Sequence, residues 1–144
     1  EACLLDSLKK RVNFLEETFD LLKLTDITAV HGRAEEYAKN KAYRESFDLC
    51  VSRAVSNLAT LSEYCLPYVK VGGSFISYKS GTVQEEAEQA EKAVKILGGK
   101  IRDVVYFSLP DSEIQRSLVV IEKVKSTPGK YPRKAGTPLK EPLV

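Results

Sequence analysis

The sequence is short of most residues that announce a chemistry. It has no methionine and no tryptophan, one histidine (His31) and three cysteines at positions 3, 50 and 65. No apolar run approaches the roughly 18 to 20 residues that a membrane-crossing helix needs. The N-terminal EACLLDS lacks the basic-then-apolar pattern of a secretory leader. The three cysteines are odd in number, far apart and without a CxxC pair, so they read as reduced core thiols, and one imidazole beside them has no zinc-ligand spacing. The expectation is a soluble, cytoplasmic chain that holds no metal and enters no membrane. Its eight glycines, at 32, 72, 73, 81, 98, 99, 129 and 136, form no G-x-G-x-x-G loop.

What is present suits one globular domain: 144 residues, 43% hydrophobic and 29% charged. The net charge of +2 conceals an asymmetry. Residues 125–144 carry Lys125, Lys130, Arg133, Lys134 and Lys140 against Glu141 alone, which leaves residues 1–124 net acidic. A basic tail on such a body points to an anionic partner, or simply to a solvated terminus. The division expected is a body over 1–124 and a basic, proline-rich tail over 125–144, with no metal site and no internal repeat.

Along the body, strand-like apolar runs alternate with helical periodicity, the pattern of a largely parallel α/β sheet. ACLL (2–5) opens it. Asp6 or Ser7 then caps a helix whose apolar face is Leu8, Val12, Leu15, Phe19 and Leu22. ITAVH (27–31) is a strand, RAEEYAKN (33–40) a short helix, and FDLCVSRAV (47–55) a strand apolar on both faces and hence interior. A helix over 58–66 ends at Pro67, and Gly72 and Gly73 turn the chain into the strand GSFISYK (73–79). Thr82 and Glu85 form a capping box for a helix closed by Gly98 and Gly99. IRDVVYFSL (101–109) and RSLVVIEKV (116–124) are joined by a link too short for a parallel crossover, so they form an antiparallel pair at one edge. The tail holds four of the six prolines and reads as extended, lying on the body or on a partner.

Ligands of open α/β sheets bind beyond the carboxyl ends of the strands. Asp6 follows the first strand, Gly32 to Glu35 the second, Arg53 ends the third and Lys79 the fourth. An acid in the position of Asp6 can accept both ribose hydroxyls of a nucleoside, or serve only as a helix cap. Glu35 can favour a helix dipole or, with Ala34, open a helix whose free N–H groups meet a purine edge. Arg53 suits a surface ion pair or a ligand contact, and His31 reads as structural.

Together the segments LLDSLKKRVNFL, HGRAEEY, FDLCVSRAVSNLATLSEYCLPYVKVGG and KYPRKAGTP resemble the RsmG family, also called GidB, over essentially all 144 residues. SRAV and YPRKAGTP are its specific parts. The resemblance implies a Rossmann-like S-adenosylmethionine-dependent methyltransferase fold, mostly parallel and ending in an antiparallel hairpin, and an enzyme that methylates N7 of a guanine in small-subunit (16S) ribosomal RNA. It further implies that Asp6 and Ser7 face the cofactor's ribose, Ala34 and Glu35 its adenine, and Arg53 the cofactor or the reacting pocket. Lys79, Lys130, Arg133 and Lys134 are the expected contacts to RNA, whether naked or in a 30S particle.

The family's opening strand and its loop of the form DxGTGAGFPG are missing from this sequence, and Glu1 stands in what reads as mid-strand. The expectation is the later part of a longer gene product, inactive alone. The absent strand would lie between those of 2–5 and 47–53, leaving a gap that a second copy could fill as a dimer. A non-catalytic RNA- or ribosome-binding module is the alternative. A nicotinamide-dependent oxidoreductase shares the ribose acid but leaves the closing hairpin and YPRKAGTP without explanation.

Overall fold

The computed structural model describes residues 1–53 and 56–143; Ala54 and Val55 of the SRAV segment lie outside the described residues. In chain order the elements are β1 (Ala2–Asp6), α1 (Lys9–Leu22), β2 (Ile27–His31), α2 (Ala34–Tyr37), β3 (Phe47–Ser52), α3 (Leu58–Cys65), β4 (Val69–Ser80), α4 (Gln84–Ile96), β5 (Gly99–Ser108), β6 (Gln115–Lys123) and α5 (Thr137–Lys140). The βα alternation and the terminal antiparallel strand are those the patterning predicts. β3, β4, β6 and β5 lie in that order in one four-stranded sheet, with β6 alone reversed.

β1 and β2 pair in parallel from Ala2–Ile27 to Asp6–His31 as a separate two-stranded sheet. A break in strand pairing separates it from the larger sheet among the described residues. It makes β3 an edge strand, not the interior strand expected from its apolar run. Leu49 and Val51 on that edge are 52% and 54% exposed. Phe47, Leu49 and Val51 make one face of β3 apolar, as suits a covered strand, yet among the described residues nothing covers it at Leu49 and Val51.

One face of the larger sheet is buried. α3 and α4 lie on it, and Leu58, Leu61, Leu66, Val69, Phe75, Val119 and Ile121 form the core with the Ala87, Ala90, Ala93, Val94 and Leu97 side of α4. Small residues along α4 let the helix sit close to the strands, which dispersion rewards. α1 has only two strands to pack against, so of its expected apolar face just Val12 is buried, while Leu8 and Leu22 stay exposed.

Several local expectations are corrected. The glycine pair does not precede a strand but lies within β4, which begins at Val69. Gly72 has φ +90°, and a Cβ on Gly73 would meet the Asp48 carbonyl at 2.5 Å, where the β3–β4 register slips. No capping box forms at α4: Val83 occupies the cap position because its side chain is drawn into the core, and no side-chain cap bond is made. Leu8, not Asp6 or Ser7, is the cap residue of α1, although Asp6 Oδ1 accepts the Leu8 N–H at 2.8 Å. α2 is a single turn, shorter than the helix expected over 33–40. Gly98 closes α4 with φ +89°, and Gly99 already belongs to β5.

The tail lies on the body. Arg44 donates to the carbonyls of Thr127 (2.8 Å) and Tyr131 (2.9 Å), and the Thr127 hydroxyl to that of Leu97 (2.7 Å). Beneath it Lys123, fully buried, donates to the carbonyls of Leu66 (2.6 Å) and Val69 (2.9 Å) and pairs with Glu45 at 3.1 Å. Burial lowers the Lys123 pKa from its ordinary value, and the Glu45 carboxylate partly offsets this.

Candidate functional site

At the carboxyl ends of β1 and β2 the chain brings Asp6, Ser7, His31 and Gly32 together. The Asp6 carbonyl accepts the Gly32 N–H at 3.0 Å, and the Ser7 carbonyl lies 3.2 Å from His31 Nε2. That gives His31 the structural contact expected of it. Asp6 Oδ1 is held by Leu8, whereas among the described residues Oδ2 has only a 3.4 Å contact with exposed Arg11. One carboxylate oxygen is thus left able to accept a hydroxyl.

Ala34 and Glu35 open α2, where first-turn N–H groups have no intrahelical acceptor. The Ala34 carbonyl is taken by Tyr68 Oη at 2.7 Å. The Glu35 side chain is buried and accepts the Gly136 N–H at 2.8 Å, so its carboxylate holds the tail and only its backbone is left for a ligand.

A cleft of about 940 Å³ opens beyond β3, β4 and β5. Arg53 and Lys79, paired by no sequence motif, both line it, with Asn57, Tyr78, Phe107 and Arg116. Lys79 Nζ is spent on the Ser56 carbonyl (2.8 Å) and on Glu86 (2.6 Å), and Glu86 also receives the Leu58 N–H at 2.7 Å. Arg53 is exposed and makes no side-chain hydrogen bond among the described residues.

Of the three tail cations expected to contact RNA, Arg133 faces inward. Its Nε lies 3.0 and 3.1 Å from the two oxygens of fully buried Glu63, its Nη2 2.6 Å from Oε2, and Nη2 also donates to the Glu141 carbonyl at 2.7 Å. The Glu63 carboxylate raises the Arg133 pKa further. Lys130 and Lys134 are exposed, with Lys130 Nζ 5.3 Å from the Tyr131 ring centre. Among the described residues no group of three His, Cys, Asp or Glu could hold a metal ion, and no helix is long and apolar enough to cross a membrane.

Known proteins match this arrangement along its length. The family described as GidB, rRNA small subunit methyltransferase G, matches residues 1–119. This chain belongs to that family. It is 57% identical over 141 residues to the ribosomal RNA small subunit methyltransferase G of Lachnoclostridium phytofermentans, covering 98% of the chain and 58% of the relative. It is 51% identical over 143 residues to that of Clostridium tetani, covering 99% and 60%. The chain therefore spans about three-fifths of the length of these relatives.

Solved structures share the fold at low identity. M. jannaschii TYW2 in complex with AdoMet aligns with TM-score 0.60 and 12% identity over 85% of this chain and 57% of that one. P. horikoshii TYW2 in complex with MeSAdo gives 0.65 and 14% over 86% and 48%. The GidB chain thus has a Rossmann-like methyltransferase fold, confirming the fold implied by its resemblance. Sequence reasoning passed over Arg116, Tyr78 and Phe107. A reversed last strand starts at the rim where parallel strands end, and that signal could have drawn attention to Arg116.

Proposed function

We propose that this GidB chain contributes cofactor and RNA contacts to an enzyme that transfers a methyl group from S-adenosylmethionine to N7 of a guanine in small-subunit ribosomal RNA, in the cytoplasm. The half-free carboxylate of Asp6 at the end of β1 is the observation that carries this reading. It fits a cofactor ribose, with Ser7 beside it and the α2 N–H groups of Ala34 and Glu35 turned to the adenine. When bound, S-adenosylmethionine supplies an electrophilic sulfonium methyl.

Guanine N7 carries a lone pair and no proton, so no side chain need act as a base. What the protein must do is orient the base and exclude water. Arg53 at the cleft supplies fixed positive charge for the RNA, and Lys130 and Lys134 on the tail surface supply sequence-independent phosphate contacts. Lys79 shapes the cleft wall through Glu86, and Arg133 fastens the tail.

The test uses a protein of the relatives' full length bearing these residues. Asp6→Ala should raise KM for S-adenosylmethionine at least about ten-fold, the loss of one charged hydrogen bond, and mass spectrometry of digested small-subunit RNA should show 7-methylguanosine. RNA binding without methyl transfer would sink this proposal and favour the non-catalytic module. The 144-residue chain alone should bind S-adenosylmethionine weakly; micromolar binding by calorimetry would contradict that expectation.

A further inference from the structure

The cleft has two unlike walls. On one side the polar groups satisfy each other: Lys79 with Ser56 and Glu86, Glu86 with Leu58, and Asn57 Oδ1 with the Thr60 N–H at 2.9 Å. The other side is unspent. Among the described residues Arg116 donates only to the carbonyl of its neighbour Gln115, at 3.1 Å. The rings of Tyr78 and Phe107 are 44% and 39% exposed. Among the described residues the buried Ser117 and Ser56 hydroxyls have no hydrogen-bond partner.

Strand pairing brings these groups together. Arg116 is in register with Ser80 on β4 and with Phe107 on β5, and Tyr78 stands two residues before Ser80 on the same face. Ser117, one residue on, points to the covered face, as strand alternation requires. The result is a cation beside two open aromatic side chains on the uncovered face of the sheet. A base pulled out of its stack offers ring faces to aromatics, a flanking phosphate to a guanidinium, and polar edges to hydroxyls.

We propose that Arg116, Tyr78 and Phe107 are positioning residues that seat an unstacked nucleotide of single-stranded or locally opened RNA, the rings stacking on the base and Arg116 holding its phosphate. The inference rests on the reading of this chain as part of an RNA-modifying enzyme. It assigns the place of the target nucleotide. A paired base in a duplex cannot present its face to these rings, so opened RNA is preferred.

The chain itself is titrated with a short fluorescein-labelled RNA strand, and with the duplex of that strand, by fluorescence anisotropy over a range of salt. Arg116→Gln should weaken strand binding about ten-fold and reduce the salt slope by about one. Tyr78→Leu and Phe107→Leu should each weaken it about ten-fold with the slope unchanged, while Tyr78→Phe keeps the ring and the affinity. Lys92→Gln, on the exposed side of α4, is the control for lost charge and should leave binding unaltered. The duplex should bind more weakly and be insensitive to Tyr78→Leu.

Wild-type affinity in folded Arg116→Gln and Phe107→Leu variants would overturn the proposal, as would no RNA binding by the chain or equal losses on duplex. Where a variant melts early by circular dichroism, Arg116→Lys or Phe107→Tyr replaces it and is expected to retain binding; loss of affinity in these folded conservative variants would count against the proposal. Methyl transfer is read separately in the full-length protein. Cleft-dependent RNA binding with no methylation would refute the methyltransferase reading and leave the cleft assignment standing, and methylation indifferent to the cleft variants would do the reverse.

Discussion

Replacing Arg133 with alanine should release the tail from α3 at a cost that can be worked from the contacts. Three close N–H approaches and the backbone N–H of residue 133 (2.8 Å) hold the Glu63 carboxylate, which has no solvent exposure. Truncation leaves that carboxylate buried with one donor. Breaking a buried pair from one side costs about 3–5 kcal/mol. The Arg133 side chain is 24% exposed, so water can reach the vacated space and the lower end, about 3 kcal/mol, is expected.

A chain of this size has a total stability of about 7–20 kcal/mol. With a urea slope of about 2 kcal/mol/M, the unfolding midpoint should fall by about 1.5 M. Glu63→Ala should cost less, because a guanidinium can swing into water. The double variant should cost less than the sum of the two. Arg133→Lys keeps the charge but cannot satisfy both oxygens, and should fall between alanine and wild type. An Arg133→Ala midpoint within about 0.5 kcal/mol of wild type, on the same conversion, would refute the reasoning. So would a loss of RNA affinity in Arg133→Lys with stability intact, since Arg133 would then face the RNA.

Three further outcomes are expected. Gly98→Ala should destabilise by more than about 1 kcal/mol, measured by thermal melting, because φ is +89° and the new Cβ would lie 2.1 Å from the Lys125 carbonyl oxygen; an unchanged melting temperature would contradict this. Burial pushes the Glu45 carboxyl up, but the Thr127 N–H and Lys123 outweigh it and hold its pKa below the ordinary 4.5. The stability this lends is full above 4.5 and lost as pH falls through the native value, so Glu45→Gln should flatten the acid limb of the stability curve, and an unchanged limb would count against the pairing. Val51→Lys on the open β3 edge should reduce self-association in sedimentation velocity, and a wild-type chain that stays monomeric at high concentration would show that the edge recruits no second copy.

The fold was largely legible because two periodicities, apolar runs for strands and three-to-four spacing for helices, survive in single segments. The hairpin was legible from the shortness of the link over 110–115. What local pattern misjudged was decided by distant residues. Val83 takes the cap position of α4 because the core draws it in, and β4 starts before its glycines because Gly73 must pass the Asp48 carbonyl. Site residues show the same division. Asp6 stands where strand order puts it, but nothing near Arg133 or Glu35 in sequence indicates that their charges meet Glu63, 70 residues away, and Gly136, 101 residues away.

Those two contacts explain how two sheets without a shared hydrogen bond stay together. On the larger sheet's side the tail is held by Arg133 to Glu63 and by the Thr60 hydroxyl to the Pro138 carbonyl at 2.9 Å, both on α3. On the smaller sheet's side Gly136 binds Glu35 on α2. Further links among the described residues include Tyr68 to the Ala34 carbonyl, Arg44 to the Ala38 carbonyl and the ring series Tyr37, Tyr43, Phe47 and Tyr68. Removing the Glu35 carboxylate should therefore loosen β1–β2 selectively. Glu35→Ala leaves the Gly136 N–H without its acceptor, a cost of about 1–3 kcal/mol, while Glu35→Gln keeps an acceptor oxygen and most of the stability. Hydrogen exchange should show faster exchange at β1, β2 and residues 134–140 in Glu35→Ala, with β4 and β6 unchanged. Uniform acceleration across both sheets would mean that they open as one unit, and the tail would then be a passenger on the fold.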